Sequence, residues 1–177
     1  MNSTYNVANL LTFVRIVCIP LIVIVFFLPT DLSRPITAVI FIIASITDWL
    51  DGWVAREFNQ SSKLGAFLDP VADKLIVSMA LILIIQSDPT ILNSVIATII
   101  IGREITVSAL REWMSELGAR HQVSVIGYAK LKTVLQMFGL SFMLFKVPIF
   151  GIPIYTMGQG LLVIAAILTL WTMLVYL

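Results

Sequence analysis

The sequence predicts an all-α integral membrane protein, a bundle of six transmembrane helices. Three observations carry that expectation. Hydrophobic residues make up 59% of the 177 and charged residues 12%, against roughly 25% charged in a soluble domain, and the mean hydropathy is +1.02. A bilayer core of about 30 Å needs about 20 helical residues, and six apolar segments of that size follow one another. The breaks between them are short and rich in Pro, Asp, Asn, Gln and Ser, which is turn chemistry.

Taken in order, the first span is expected near 8–28, ending at Pro29-Thr30-Asp31. The second, near 35–57, stops before Asn59-Gln60-Ser61-Ser62, and the third, near 64–86, at Ser87-Asp88-Pro89. The fourth, near 90–115, opens into a polar connection holding Arg120 and His121, a solvated stretch rather than a ligand site. The fifth, near 125–146, ends at Val147-Pro148, and the sixth, near 154–176, follows Pro153. A chain of this length has room for one domain, residues 1–177. Residues 1–6 lack basic charge and the apolar run after them is too long for a cleaved leader, so no secretory signal is expected.

Charge excludes some functions. A net charge of +1 argues against nucleic acid, which calls for a basic face. Cys18 is the single cysteine, which excludes a disulfide framework and a thiolate zinc site. The distribution of Lys and Arg sets an orientation. Arg56, Lys63, Arg111, Arg120, Lys130 and Lys132 flank the second and fourth connections; only Arg34 and Lys146 flank the first and fifth, and the third has none. The positive-inside rule then places the basic connections and both termini in the cytoplasm.

Four carboxylates stand out against this background. Asp48 and Asp51 are three residues apart, and Asp69 and Asp73 four, so each pair lies on one helical face, one turn apart. A carboxylate at mid-bilayer depth costs about 2.5–3.5 kcal/mol on insertion scales, so four together need compensation. Spans two and three share a short connection, which predicts antiparallel neighbours whose Asp pairs converge at their cytoplasmic ends. The resulting ligand set is all oxygen, without His or Cys, which suits Mg2+ or Mn2+ and not zinc or copper. Two ions about 3.5–4 Å apart would match the arrangement used for phosphoryl displacement. Singly, each piece has a plain structural reading: Asp69-Pro70 as a helix N-cap, Asp51-Gly52 as a turn, Asp73-Lys74 as an interfacial pair. The joint spacing favours a metal site. Gly52, Ala55 and Gly65 remove bulk beside the carboxylates, so that backbone and ligand can approach closely. Arg56, one turn beyond Gly52, could fork onto a pyrophosphate or serve as an interfacial anchor.

These residues form the pattern D-x-x-D-G-x-x-A-R-x8-G-x3-D-x3-D, complete from Asp48 to Asp73. It resembles the signature of the CDP-alcohol phosphotransferase family. The likeness extends over nearly the whole chain, through Asn9-Leu10-Leu11-Thr12-Phe13-Val14-Arg15, Asp69-Pro70-Val71-Ala72-Asp73-Lys74, Gly102-Arg103-Glu104-Ile105, Leu110-Arg111-Glu112-Trp113 and Lys130-Leu131-Lys132-Thr133. Within the family these segments look like the bacterial branch that accepts glycerol phosphate. The resemblance implies transfer of a phosphatidyl group from CDP-diacylglycerol to sn-glycerol 3-phosphate, with CMP leaving. It further implies Asp48, Asp51, Asp69 and Asp73 as ligands to two divalent ions, Mg2+ or Mn2+, with Asp73 also the general base. Asn9 to Thr12, Gly52, Arg56 and Ser62, with Ala55 and Gly65 among them, match the CDP-diacylglycerol-binding positions. A homodimer in the bacterial cytoplasmic (inner) membrane, with the site facing the cytoplasm, is implied as well.

A phosphorylated acceptor needs cations besides any metal. Arg103 and Arg111 lie eight residues, or about 12 Å, apart along span four. Lys130 and Lys132 face opposite sides of span five, so one of them is expected to point inward. Arg103 is the strongest candidate for the acceptor phosphate, because it lies deepest and a lone arginine there would be costly; Glu104 offers partial compensation. Arg15 shares a face with Thr12, near the nucleotide or paired with a carboxylate. The rival readings are another acceptor, such as inositol phosphate or serine, and a carboxylate-based transporter. A transporter would commonly show repeated halves or paired broken spans, which are absent from the sequence.

Overall fold

The structure, a computed structural model, describes the backbone of residues 7–57, 63–116 and 127–176, and the side chains of 12–47, 68–110, 112–114 and 131–173. Six helices account for almost all of it: α1 (Val7–Phe26), α2 (Ser33–Glu57), α3 (Lys63–Ser87), α4 (Ile91–Glu116), α5 (Gly127–Phe145) and α6 (Ile154–Tyr176). They coincide with the six expected segments to within a few residues, and no strand occurs among the described residues. α3 begins at Lys63, so Asp69 is not an N-cap and Pro70 lies inside the helix. Pro20 lies inside α1 in the same way. Each proline deprives one carbonyl of its helical partner, a loss that apolar surroundings make costly and packed neighbours offset.

The helix ends follow local chemistry. Thr90 caps α4, its Oγ1 accepting from the Asn93 amide at 3.2 Å. At the turn between α5 and α6, Phe150 and Gly151 both have positive φ, 51° and 79°, and the Ile152 amide donates to the Ile149 carbonyl at 2.9 Å. This is the geometry of a type I′ turn, and glycine makes its second position inexpensive.

The described contacts show how the helices are ordered in the bundle. α1 packs against both α2 and α3, whereas α2 and α3 touch only slightly among the described residues. α3 also contacts α4 and α5, and α6 contacts α4 and α5. α3 is therefore the helix shared by α1, α4 and α5. Chain adjacency alone could not reveal this, because connection lengths say nothing of which helices beyond the next one pack together.

One continuous core runs through the bundle, built from Ile22, Phe41, Ala80, Ile84, Ile100, Leu140, Leu144 and Leu162 among others. Several polar side chains are nonetheless buried while large apolar ones face outward. Arg15 is 0% exposed while Phe13, two residues earlier, is 60% exposed. Thr12, Thr37, Asn93, Lys132, Gln136 and Thr169 are buried, and Ile24, Ile43, Ile105, Phe138, Ile167 and Trp171 face outward. Apolar surface this extensive needs an apolar partner or solvent. Among the described residues two helices, over Ile91–Met114 and Ile154–Met173, are long and apolar enough to cross a membrane. Shorter apolar runs occupy Thr12–Phe26, Ser33–Thr47 and Leu131–Phe145.

Two devices hold the end of the bundle away from the carboxylates. The Tyr155 hydroxyl donates to Asp88 Oδ2 at 2.5 Å. Asn93 Nδ2 donates to the Asp88 carbonyl at 2.9 Å and to the Tyr155 oxygen at 3.0 Å, and Gln159 Nε2 donates to Asn93 Oδ1 at 2.9 Å. The ends of α3, α4 and α6 are thereby tied by a network in which burial strengthens each bond. The second device is the close approach of α5 and α6. A Cβ at Gly158 would lie 2.8 Å from the Gly139 carbonyl oxygen and 2.8 Å from Phe142 Cβ, atoms that cannot move without shifting a backbone. Small residues at such crossings allow the backbone contact that drives helix association in lipid. Gly158→Leu is therefore expected to lower the thermal midpoint in detergent by several degrees, since overpacking costs about 1–3 kcal/mol and each kcal/mol is about 2–4 °C at this size. Gly160→Leu, at a position with nothing within 4 Å, is the control and should leave the midpoint unchanged. Equal behaviour of the two variants would contradict the crossing.

Candidate active site

The site begins with α3. Asp69 and Asp73 are one turn apart and both are approached from α1. Thr12 donates its hydroxyl to Asp69 Oδ1, and Arg15 Nη1 donates to Asp73 Oδ1 at 2.7 Å. Both contacts advance in the same direction along the two helices, so α1 and α3 run parallel here, as two helices joined through an intervening antiparallel one must. Thr12 and Arg15 lie three residues apart and present one face. The Arg15 side chain is 0% exposed and that of Asp73 is 42% exposed, so a buried cation supports a carboxylate that opens toward solvent. A carboxylate has about four acceptor positions, and the Thr12 hydroxyl takes one of those of Asp69.

The all-oxygen donor set of Asp69 and Asp73, spaced one turn apart, fits a hard divalent cation. Asp48 and Asp51 lie on α2, Asn9 on α1 and Gly65 on α3, but their side-chain surroundings fall outside the described residues. So do those of Gly52, Ala55 and Arg56 on α2, Arg111 on α4 and Lys130 on α5. Ser62 lies outside the described residues altogether. Among the described residues, no three His, Cys, Asp or Glu side chains cluster for metal binding.

A second charged group joins α4 to α5. Glu104 Oε1 accepts from Arg103 Nη1 at 3.2 Å and from Lys132 Nζ at 2.9 Å. Lys132 points inward from α5, only 5% exposed, while its neighbour Leu131 is 49% exposed. The two cations share one oxygen, so they lie no more than about 6 Å apart, where like charges repel by about 3 kcal/mol at an effective dielectric of 20. The carboxylate between them offsets that repulsion. Arg103 Nε is buried without a hydrogen-bond partner among the described residues, so Glu104 does not exhaust the guanidinium's five donors.

The structure thus brings together Thr12 with Asp69, and Arg103 with Lys132. It adds two residues whose weight the sequence understated. Glu104 is the hub of the α4–α5 group, and Arg15 is the direct partner of Asp73. Thr12, expected near the nucleotide, contacts a carboxylate of the signature itself. Gln136, four residues after Lys132, was missed; it is 4% exposed, with its Oε1 unpaired among the described residues. Its signal was a lone amide in the apolar run Val134-Leu135-Gln136-Met137-Phe138.

Comparison with known proteins places this arrangement. The chain is 46% identical over 173 residues, 98% of its length and 93% of the relative's, to the CDP-diacylglycerol–glycerol-3-phosphate 3-phosphatidyltransferase of Salmonella choleraesuis (strain SC-B67). It is 45% identical, with the same coverage, to proteins of that name from Shigella flexneri serotype 5b (strain 8401) and Escherichia coli (strain K12). The family model for CDP-alcohol phosphatidyltransferase matches residues 5–171, a stretch that contains every described residue of both charged groups. With the signature from Asp48 to Asp73 intact, the chain belongs to the CDP-alcohol phosphatidyltransferase family.

Proposed function

We propose that this protein transfers the phosphatidyl group of CDP-diacylglycerol to sn-glycerol 3-phosphate, giving phosphatidylglycerophosphate and CMP. The observation that carries the reading is the near-full-length similarity to relatives named for this reaction, with all four signature carboxylates present. The family resemblance and the oxygen-only donor set favour Asp48, Asp51, Asp69 and Asp73 as the residues that hold divalent ions. Such ions, when bound, neutralise the pyrophosphate and the departing CMP.

The chain's own residues do the rest. In phosphoryl transfer the protein chiefly positions groups and balances charge. Asp73 takes the proton of the acceptor hydroxyl; the hydroxyl oxygen bonds to the β-phosphorus, and the bond from that phosphorus to the oxygen retained by CMP breaks. Arg15, bound to Asp73 Oδ1, fixes the direction of the carboxylate, and Thr12 does the same for Asp69. Asn9, Gly52, Ala55, Arg56, Ser62 and Gly65 surround the nucleotide lipid. Arg103 and Lys132, with Arg111 and Lys130, receive the acceptor's phosphate. Phosphate is a natural ligand for paired cations, which weighs against serine as the acceptor.

The same reading places six spans across the bacterial inner membrane, with the site at the cytoplasmic face and the protein as a homodimer. The apolar exterior supports a lipid environment, and the Lys and Arg distribution supports the orientation. The test is CMP release by the purified protein in detergent, with glycerol 3-phosphate, inositol phosphate and serine as acceptors. Release is expected with glycerol 3-phosphate alone. Chelation by EDTA should abolish it, and Mg2+ or Mn2+ in excess should restore it; undiminished turnover under strong chelation would remove the metal from the scheme.

A further inference from the structure

We propose that Glu104 is a positioning residue for the acceptor, holding Arg103 and Lys132 side by side as a two-pronged receptor for its phosphate. This rests on the assignment of those two cations to the acceptor and goes beyond it by naming what presents them. Three observations support it. Arg103 and Lys132 come from different helices yet donate to the same atom, Glu104 Oε1, at 3.2 and 2.9 Å. Their side chains are 13% and 6% exposed, while that of Glu104 is 27% exposed, so the carboxylate is the member most open to solvent. Arg103 Nε is buried with no partner among the described residues, so Glu104 does not use up the donors of the guanidinium.

Arginine offers five donors and lysine three, and Glu104 takes one from each. The remaining donors turn to an incoming phosphate without the cations having to leave Glu104. Removing the negative charge sets the two cations against each other, and Lys132, on a flexible four-carbon stem, is the one free to swing away. The receptor then loses one prong before substrate arrives.

The test is steady-state kinetics of the full-length protein in detergent, varying each substrate separately. Glu104→Gln, which keeps the shape and loses the charge, is expected to raise the KM for glycerol 3-phosphate about tenfold, the size of one lost hydrogen bond to a charged group. The KM for CDP-diacylglycerol should stay within twofold. Inhibition by inorganic phosphate, which probes the receptor without turnover, should weaken in parallel. Glu104→Asp keeps the charge on a shorter arm and should recover part of the loss. An unchanged acceptor KM in Glu104→Gln, or an equal rise for both substrates, overturns the proposal. Arg103→Ala in the same assay separates the two levels. If Arg103→Ala raises the acceptor KM and Glu104→Gln does not, the positioning role alone fails. If neither moves it, the acceptor-site reading fails as well.

Discussion

Asp73→Asn is expected to lower kcat by about 10³-fold or more while leaving the fold and nucleotide binding in place. A positioned general base contributes about 10²–10⁴-fold, and the same change removes a charged oxygen from the proposed ligand set. Asparagine keeps an acceptor at the position that Arg15 Nη1 reaches at 2.7 Å, so the hydrogen bond can survive although the charge does not. The stability effect follows from burial. Removing one partner of a fully buried ion pair costs about 3–5 kcal/mol. Here the Asp73 side is 42% exposed, and solvent screening reduces that to about 1–2 kcal/mol. The loss of turnover should therefore far exceed any loss of folded protein. Circular dichroism, a thermal melt and binding of CDP-diacylglycerol report the fold and the nucleotide site; CMP release reports the chemistry. Substantial turnover by Asp73→Asn would remove Asp73 as the base.

The helices were legible because apolar run length and turn residues are local properties. Pro29, Pro89 and Pro148 mark breaks that the backbone makes. Helix neighbours are not local, so the packing of α1 against α3 could not be read from connection lengths. The same reason explains which site residues were undervalued. Asp69 and Asp73 announce themselves by spacing within one helix, whereas the roles of Thr12, Arg15 and Glu104 depend on contacts between helices. Arg15 was recognisable as a charge inside an apolar span, which must find a partner; that the partner is Asp73 emerges only when α1 lies on α3. Asp88 looked like an ordinary loop acid and proved to bind Tyr155 and Asn93, residues brought to it by α6 and α4.

Arg103→Ala and Arg111→Ala carry the second large effect: the KM for glycerol 3-phosphate should rise about 10- to 100-fold, far more than that for CDP-diacylglycerol. A hydrogen bond to a charged group contributes about 1.5–3 kcal/mol, and a phosphate dianion held by a guanidinium is such a case. Arg103→Ala leaves Lys132 bound to Glu104 at 2.9 Å, a pair balanced in charge, so the α4–α5 connection survives and the variant folds. What it removes is the net positive charge of the three-residue group, and with it the attraction for a second anion. Arg111 lies two turns further along α4, about 12 Å along the helix, and is assigned to the same phosphate by the proposed function. An interaction made equally in the bound and transition states changes KM and leaves kcat alone, which is the behaviour expected of groups that hold a phosphate remote from the reacting hydroxyl. Equal rises for both substrates would mean that these arginines shape the whole site rather than receive the acceptor.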